Sequence, residues 1–213
     1  MKKIILAVAI GFMAISCKVD SKNKVETSDA KEVVTTSKSE SLKVDITASS
    51  LNWKGYKPTG EHFGTIGIAE GLLSLTEGKL VGGTFTINMK SIVDKDMEAD
   101  NEYNAKLVKH LSSADFFEVD KFPTASFEIT NVSDNEGKLS VSGNLTVKGI
   151  SKNITFPATL SNNGIVTILK SDPFKVDRTE FGIQFKSTKL ADIIKEKSID
   201  DLFEISFEVK ATK

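Results

Sequence analysis

Residues 139–156 read Leu-Ser-Val-Ser-Gly-Asn-Leu-Thr-Val-Lys-Gly-Ile-Ser-Lys-Asn-Ile-Thr-Phe, and their alternation leaves little freedom of fold. Leu139, Val141, Leu145 and Val147 fall on one side of an extended backbone, with Ser140, Ser142, Asn144, Thr146 and Lys148 on the other. Successive side chains of a strand point to opposite faces, so this is a strand with one dry and one wet face. The chain is expected to turn through Gly149 to Asn153. It then returns with Ile154, Phe156 and Ala158 apolar against Asn153 and Thr155, as an antiparallel hairpin.

The same period recurs along the chain. Leu42, Val44 and Ile46 alternate with Lys43, Asp45 and Thr47, and Phe85, Ile87 and Met89 with Thr84, Thr86 and Asn88. Phe181, Ile183 and Phe185 alternate with Gly182, Gln184 and Lys186, and Phe203 to Ala211 repeats the pattern most clearly. Glu77-Gly78-Lys79, Asp134 to Gly137 and Asn162-Asn163-Gly164 are turn signals between such runs. Two segments read as short helices on a sheet or closing its end. One is Asp94 to Ala114, with Tyr103, Leu107 and Leu111 at helical spacing, and the other is Lys189 to Lys197, with Leu190, Ile193 and Ile194 among charges. Eight or nine such strands close as a barrel or stack as a sandwich, and periodicity does not choose. Polar outer faces argue against a transmembrane barrel.

The N-terminus reads as a separate module. Lys2 and Lys3 precede the apolar run Ile4 to Ile15, which is short for a bilayer span and suits a secretory signal peptide over 1–16. Ala14-Ile15-Ser16-Cys17 resembles the lipobox of bacterial lipoproteins, with Ala14 in place of the usual leucine, so Cys17 is the expected lipid attachment site. It is the only cysteine, which excludes an internal disulfide and a cysteine metal cluster. Residues 18–40 hold no aromatic residue, leucine or isoleucine. They read as a disordered tether (17–41 with the lipidated cysteine) of about 25–30 Å root-mean-square reach. The folded domain is then 42–213. The expected location follows: export across the inner membrane, as a periplasmic or outer-membrane lipoprotein. The formal net charge of −1 gives no basic excess for a nucleic-acid partner.

Several segments of that domain, taken in order, resemble the YceI-like family of bacterial lipid-binding proteins. They include Asn52-Trp53-Lys54-Gly55, Glu61-His62-Phe63-Gly64, Gly82-Gly83-Thr84-Phe85 and the run His110 to Val119. Lys121 to Phe127, Gly143 to Gly149, Asp177 to Gly182 and Asp200-Asp201 follow. The likeness covers nearly all of 42–211. It implies an all-β fold with short helices: an extended eight-stranded antiparallel β-barrel, lipocalin-like, whose interior holds a long apolar molecule such as a polyisoprenoid.

The domain carries 12 of the 13 phenylalanines, which offer wide apolar surface without a polar handle. Residues alone leave two readings open, since a small barrel can be filled by its own side chains; the resemblance favours a cavity. The expected wall is Trp53, Phe85, Ile87, Phe127 and Leu145, continued by Phe156, Phe181, Phe207 and Val209, each on the apolar side of its strand. Arg178 is the only arginine among 28 basic residues. Its fork suits either a ligand head group or a fixed salt bridge to Asp177, Asp200 or Asp201. His62, in a glycine-bearing segment between strands, is a candidate contact for a quinone or alcohol head group, and His110 reads as an exposed or capping residue. The two histidines form no metal-ligand pattern, and no nucleophile elbow, phosphate loop or dinucleotide fingerprint is present.

The expected function is non-catalytic binding, storage or transport of a polyisoprenoid, isoprenoid quinone or fatty-acid-like lipid, with no cofactor. The membrane is a partner through Cys17, and a homodimer is open. The rivals are an enzyme acting on a lipid in the same cavity and a structural or stress-related envelope lipoprotein with a filled barrel.

Overall fold

The computed structural model describes residues 22–33 and 39–213. The expected signal peptide, Cys17, and residues 18–21 and 34–38 of the expected tether lie outside the described residues. In chain order the elements are β1 (Thr27–Asp29), β2 (Glu40–Val44), β3 (Ser50–Lys57), β4 (Gly60–Thr76) and β5 (Lys79–Asp94). Then come α1 (Glu102–Ser112), β6 (Thr124–Asn135), β7 (Lys138–Val147), β8 (Ile150–Asn162), β9 (Thr167–Ser171), β10 (Phe174–Asp177) and β11 (Leu202–Thr212).

Strands β4 to β8 pair in sequence as antiparallel neighbours. Both β2 and β3 lie end to end along β4, and β9 and β10 lie end to end along β11. Because β11 also pairs β2 and β3, and β9 also pairs β8, the sheet closes on itself as eight antiparallel staves. The expected lipocalin-like barrel is the observed fold, and closure removes most of the open edge a sheet would present.

Three of its hairpins use one device. Thr76 pairs Lys79, Asn135 pairs Lys138 and Val147 pairs Ile150, so each loop has two residues: Glu77-Gly78, Glu136-Gly137 and Lys148-Gly149. All six have positive φ, the type I′ geometry whose twist matches that of the flanking strands. The turn after Val147 is therefore shorter than the sequence led us to expect, and Ile150 to Asn153 already belong to β8. The apolar side is as expected: Leu139, Val141, Leu145 and Val147 are buried, and Val141 faces Phe156.

Two further expectations are corrected. The stretch Phe181 to Phe185 is not a strand. The Asp177 carboxylate accepts the Thr179 N–H and starts a 3-10 turn over Arg178–Phe181, which ends at Gly182 with φ 73°. Lys189 to Lys197 forms only turns and a 3-10 turn at Lys195–Lys197. Leu190 and Ile194 stay exposed, so an isolated helix there would lack the buried face that sustains short helices. Helix α1 does form, with the Asn101 side chain accepting the Tyr103 N–H. Tyr103 itself points outward, at 62% exposure.

The tether reading is also corrected for residues 22–33. Strand β9 pairs with β8 only at Ala158–Asn162, which leaves the backbone edge of β8 nearer Ile150 without a neighbour from β10. Residues 23–31 fill that seam. The Val25 N–H donates to the Lys175 carbonyl (2.9 Å), and the Lys175 N–H donates to the Asn23 carbonyl (2.9 Å). Next, β1 pairs Thr27–Asp29 with Ile154–Lys152. Asn144 then grips the backbone of Lys31, accepting its N–H and donating to its carbonyl. Val25 is buried in the core. A composition too poor to make its own core thus suffices to dock on a strand edge whose N–H and C=O groups need partners.

Candidate functional site

The barrel is hollow at the end that α1 covers. A cavity of about 450 Å³ opens there, within the range of small-molecule sites. Its wall comes from β3 (Leu51, Trp53), β5 (Ile87, Met89) and β11 (Phe203, Ile205), with Leu145 and Val147 of β7 opposite. Helix α1 contributes Leu107, His110 and Leu111 as part of a cap. Beside them Phe116 and Phe185 meet the His110 ring, with centroids 5.0 and 4.9 Å away.

Deeper in, Leu51, Ile87, Leu145 and Ile205 also line a second space of about 80 Å³. Its wall is a belt of rings. Phe127 lies 6.4 Å from Phe85 and 5.4 Å from Phe156, and Phe156 stacks on Phe174 at 4.5 Å and meets Phe207 edge-on at 5.5 Å. The Phe127 ring fits because Gly143 stands beside it on β7: a Cβ there would lie 2.2 Å from the ring. Ile68, Ile154 and Val209 complete this end.

Eight of the nine expected wall residues therefore line one of the two spaces: Trp53, Ile87 and Leu145 the larger, and Phe85, Phe127, Phe156, Phe207 and Val209 the smaller. Phe181 does not. It packs inside the wall at 1% exposure, because its segment is a 3-10 turn and not a strand.

The polar groups gather at the open end. Tyr56 O–H donates to Glu204 (3.1 Å), and burial with the neighbouring Glu204 charge pushes its hydroxyl pKa up. Lys57, Lys186 and Lys197 stand around the mouth with Glu196 and Asp200. Arg178 touches the cavity, but the protein occupies its fork. Nε donates to the Asp200 carbonyl (3.0 Å), Nη1 to Ile183 (2.9 Å) and Nη2 to Ile199 (3.0 Å), and Nη2 lies 3.4 Å from Asp201 Oδ1. This is the fixed-bridge reading of the arginine. It ties the 3-10 turn to the segment 199–201 that leads into β11. Asp177, next to it, is pushed up by burial, but bonds from Lys189, Thr179 and the Thr179 N–H outweigh that and hold it below its ordinary value.

His62 is on strand β4, not between strands, and lies at the cavity rim. Its Nδ1 is 2.9 Å from Asp96 Oδ2 and its Nε2 is 3.0 Å from Lys57 Nζ. His110, expected as exposed or capping, is 41% exposed at its side chain and also packs its ring at the mouth, with Nε2 3.0 Å from Asp115. The i, i+3 and i+4 spacing of Leu107, His110 and Leu111 is the sequence signal that could have placed it there. Lys186 and Lys197 carried no such signal, since their segments have no periodicity.

A family model described as a YceI-like domain matches residues 42–211. A UPF0312 protein of Pseudomonas aeruginosa is 40% identical over 79 residues, which is 37% of this chain and 37% of that protein, so the chain spans little more than a third of this relative's length. Burkholderia cenocepacia BcnA superposes with a TM-score of 0.64 at 18% identity, over 79% of this chain and 99% of its own. A polyisoprenoid binding domain from Saccharophagus degradans gives 0.58 at 13% identity, over 80% and 97%. At these identities the two structures bear on the fold, which they share.

Proposed function

The chain belongs to the YceI-like domain family, and from that premise we propose that it binds a long apolar amphiphile, a polyisoprenoid or isoprenoid quinone, with the chain inside the barrel and the head group at the mouth. The observation that carries this reading is the shared wall of the two spaces: an apolar cavity of about 450 Å³ has four lining residues in common with a ring-lined space. The Saccharophagus neighbour, a polyisoprenoid binding domain, supports the same ligand class.

Affinity comes from transfer of hydrocarbon out of water, worth about 0.8 kcal/mol for each buried methylene. Head-group contacts at Tyr56, His62 and the mouth lysines then set selectivity more than strength. On this reading the protein stores or passes on its ligand without altering it. An acylated Cys17 and a signal peptide over 1–16 would keep it at an envelope membrane that supplies the lipid, since stable anchoring needs two chains or more.

The test is mass spectrometry of an organic extract from detergent-free protein, followed by uptake of added prenols and quinones. A stoichiometric prenyl lipid is the expected result. Recovery of no lipid together with no uptake refutes the proposal, and turnover of a bound lipid that is lost in His62→Ala replaces it with an enzyme.

A further inference from the structure

At the rim of the cavity, β4 and β5 end side by side, with Gly64 opposite Asp94 and the Lys95 N–H bonded to the Phe63 carbonyl (2.8 Å). This register brings His62, Asp94 and Asp96 together, and one donor atom from each lies within 4.8 Å of the others. Asp96 spends one oxygen on the Phe63 N–H (3.0 Å) and the other on His62 Nδ1 (2.9 Å). Asp94 differs. It is 4% exposed, its Oδ2 accepts the Met97 N–H at 3.2 Å, and its Oδ1 is buried with no hydrogen-bond donor among the described residues.

A buried carboxylate oxygen without a donor costs about 1–3 kcal/mol, more if charged, so it calls for a partner, and a proton, a water or a cation can serve. We propose that His62, Asp94 and Asp96 form a divalent-cation site of Zn²⁺ type at the cavity rim. One imidazole and two carboxylates are a donor set for zinc, and three protein ligands leave a fourth position open. One pair is already close to the spacing an ion needs, while a pair at the 4.8 Å limit of the cluster would have to close by about 1.5 Å. Bonds of about 2.0–2.2 Å at a tetrahedral angle put two donors about 3.3 Å apart, so the His62–Asp96 pair has to widen by only about 0.4 Å.

Two features of the surroundings bear on the site. Lys57 Nζ sits 3.0 Å from His62 Nε2. It is an exposed side chain, free to swing out when Nε2 carries the ring proton and Nδ1 takes the ion. An ion between the two carboxylates would relieve the buried, donorless Asp94 Oδ1. The alternative relief is a proton shared by the two carboxyls. A metal here would pin β4 to the loop that leads into α1, where the Asn104 side chain donates to the carbonyls of Asp94 and Met97.

The test is calorimetric titration of ZnCl₂ into chelator-stripped, lipid-extracted full chain, with Asp94→Asn and His62→Gln alongside. One site per chain is expected, at least about tenfold weaker in each variant. The zinc should also raise the thermal midpoint of the wild type and not of the variants. The inference is overturned by the absence of a saturable site, by binding that both variants retain (an adventitious ion only), or by Asp94→Asn raising the midpoint while zinc leaves the wild type unchanged, which would assign a shared proton. Cobalt(II) absorption supplies a second readout: tetrahedral d–d bands in the wild type support the site, and octahedral aquo-ion bands refute it. Because lipid is absent, the result stands whichever way the lipid extraction falls.

Discussion

Replacing Arg178 by lysine keeps the charge and removes the fork. Arg178 is 4% exposed, and its guanidinium donates to three backbone carbonyls, those of Ile183, Ile199 and Asp200, while its charge faces Asp201. Hydrogen bonds from a charged group contribute about 1.5–3 kcal/mol each. A lysine ammonium at the end of a flexible stem keeps the ion pair and reaches at most one or two of the three carbonyls, which diverge in the plane of the fork. Arg178→Lys is therefore expected to cost about 3 kcal/mol. Arg178→Met, which also leaves Asp201 buried without its partner, is expected to cost about 4–5 kcal/mol. Against a total of about 5–15 kcal/mol for a domain, both shifts are easy to measure. The assay is urea unfolding of lipid-free protein, with hydrogen exchange of residues 183–201 as the local readout. A loss below 1 kcal/mol for Arg178→Lys, with unchanged exchange in that segment, would show that the fork is not what holds the mouth of the barrel together.

Other outcomes follow from the same structure. Leu145→Trp, at a residue that lines both spaces, should abolish lipid uptake at a stability cost of about 1–3 kcal/mol, as measured by prenol binding and thermal melting. Gly143→Val should lose about 2–3 kcal/mol in chemical denaturation, because the new Cβ would meet the Phe127 ring at 2.2 Å and the Glu128 carbonyl at 2.7 Å. Val25→Ser should lower stability by about 1–2 kcal/mol, an effect that a free tether would not produce. The Asp177 carboxyl is depressed below its ordinary 3.8 in the folded protein. Its contribution is complete above that value and is lost as pH falls through the folded value, so acid unfolding of Asp177→Asn should flatten below about pH 4 relative to the wild type.

What the sequence made legible was whatever repeats with period 2. Val141, Leu145 and Phe156 declared their side of the sheet through their neighbours, and eight of nine expected wall residues followed. Phe181 broke the rule because local capping by Asp177 and the left-handed Gly182 outweighed an alternating pattern only six residues long. The role of Arg178 could be narrowed to two options but not chosen, since its partners are carbonyls of residues 5 to 22 positions away that any sequence would supply. The cluster of His62, Asp94 and Asp96 has no spacing motif at all. It arises from the register of two strand ends, which hydrophobic periodicity leaves open to a slip.

The strap at 23–31 would also alter the mechanics of the proposed attachment. A floating domain needs its whole linker free, yet here residues 23–31 of the linker are spent as barrel wall. If Cys17 carries the proposed lipid, five residues separate anchor from wall at Asn23, and the fully extended stretch spans at most about 22 Å. That standing height is less than the reach of the 23-residue tether the composition implied. A barrel on so short a leash would rest close against the bilayer, with its tilt set by where the seam runs, and a ligand would need to cross a gap of one short loop rather than diffuse through open solvent.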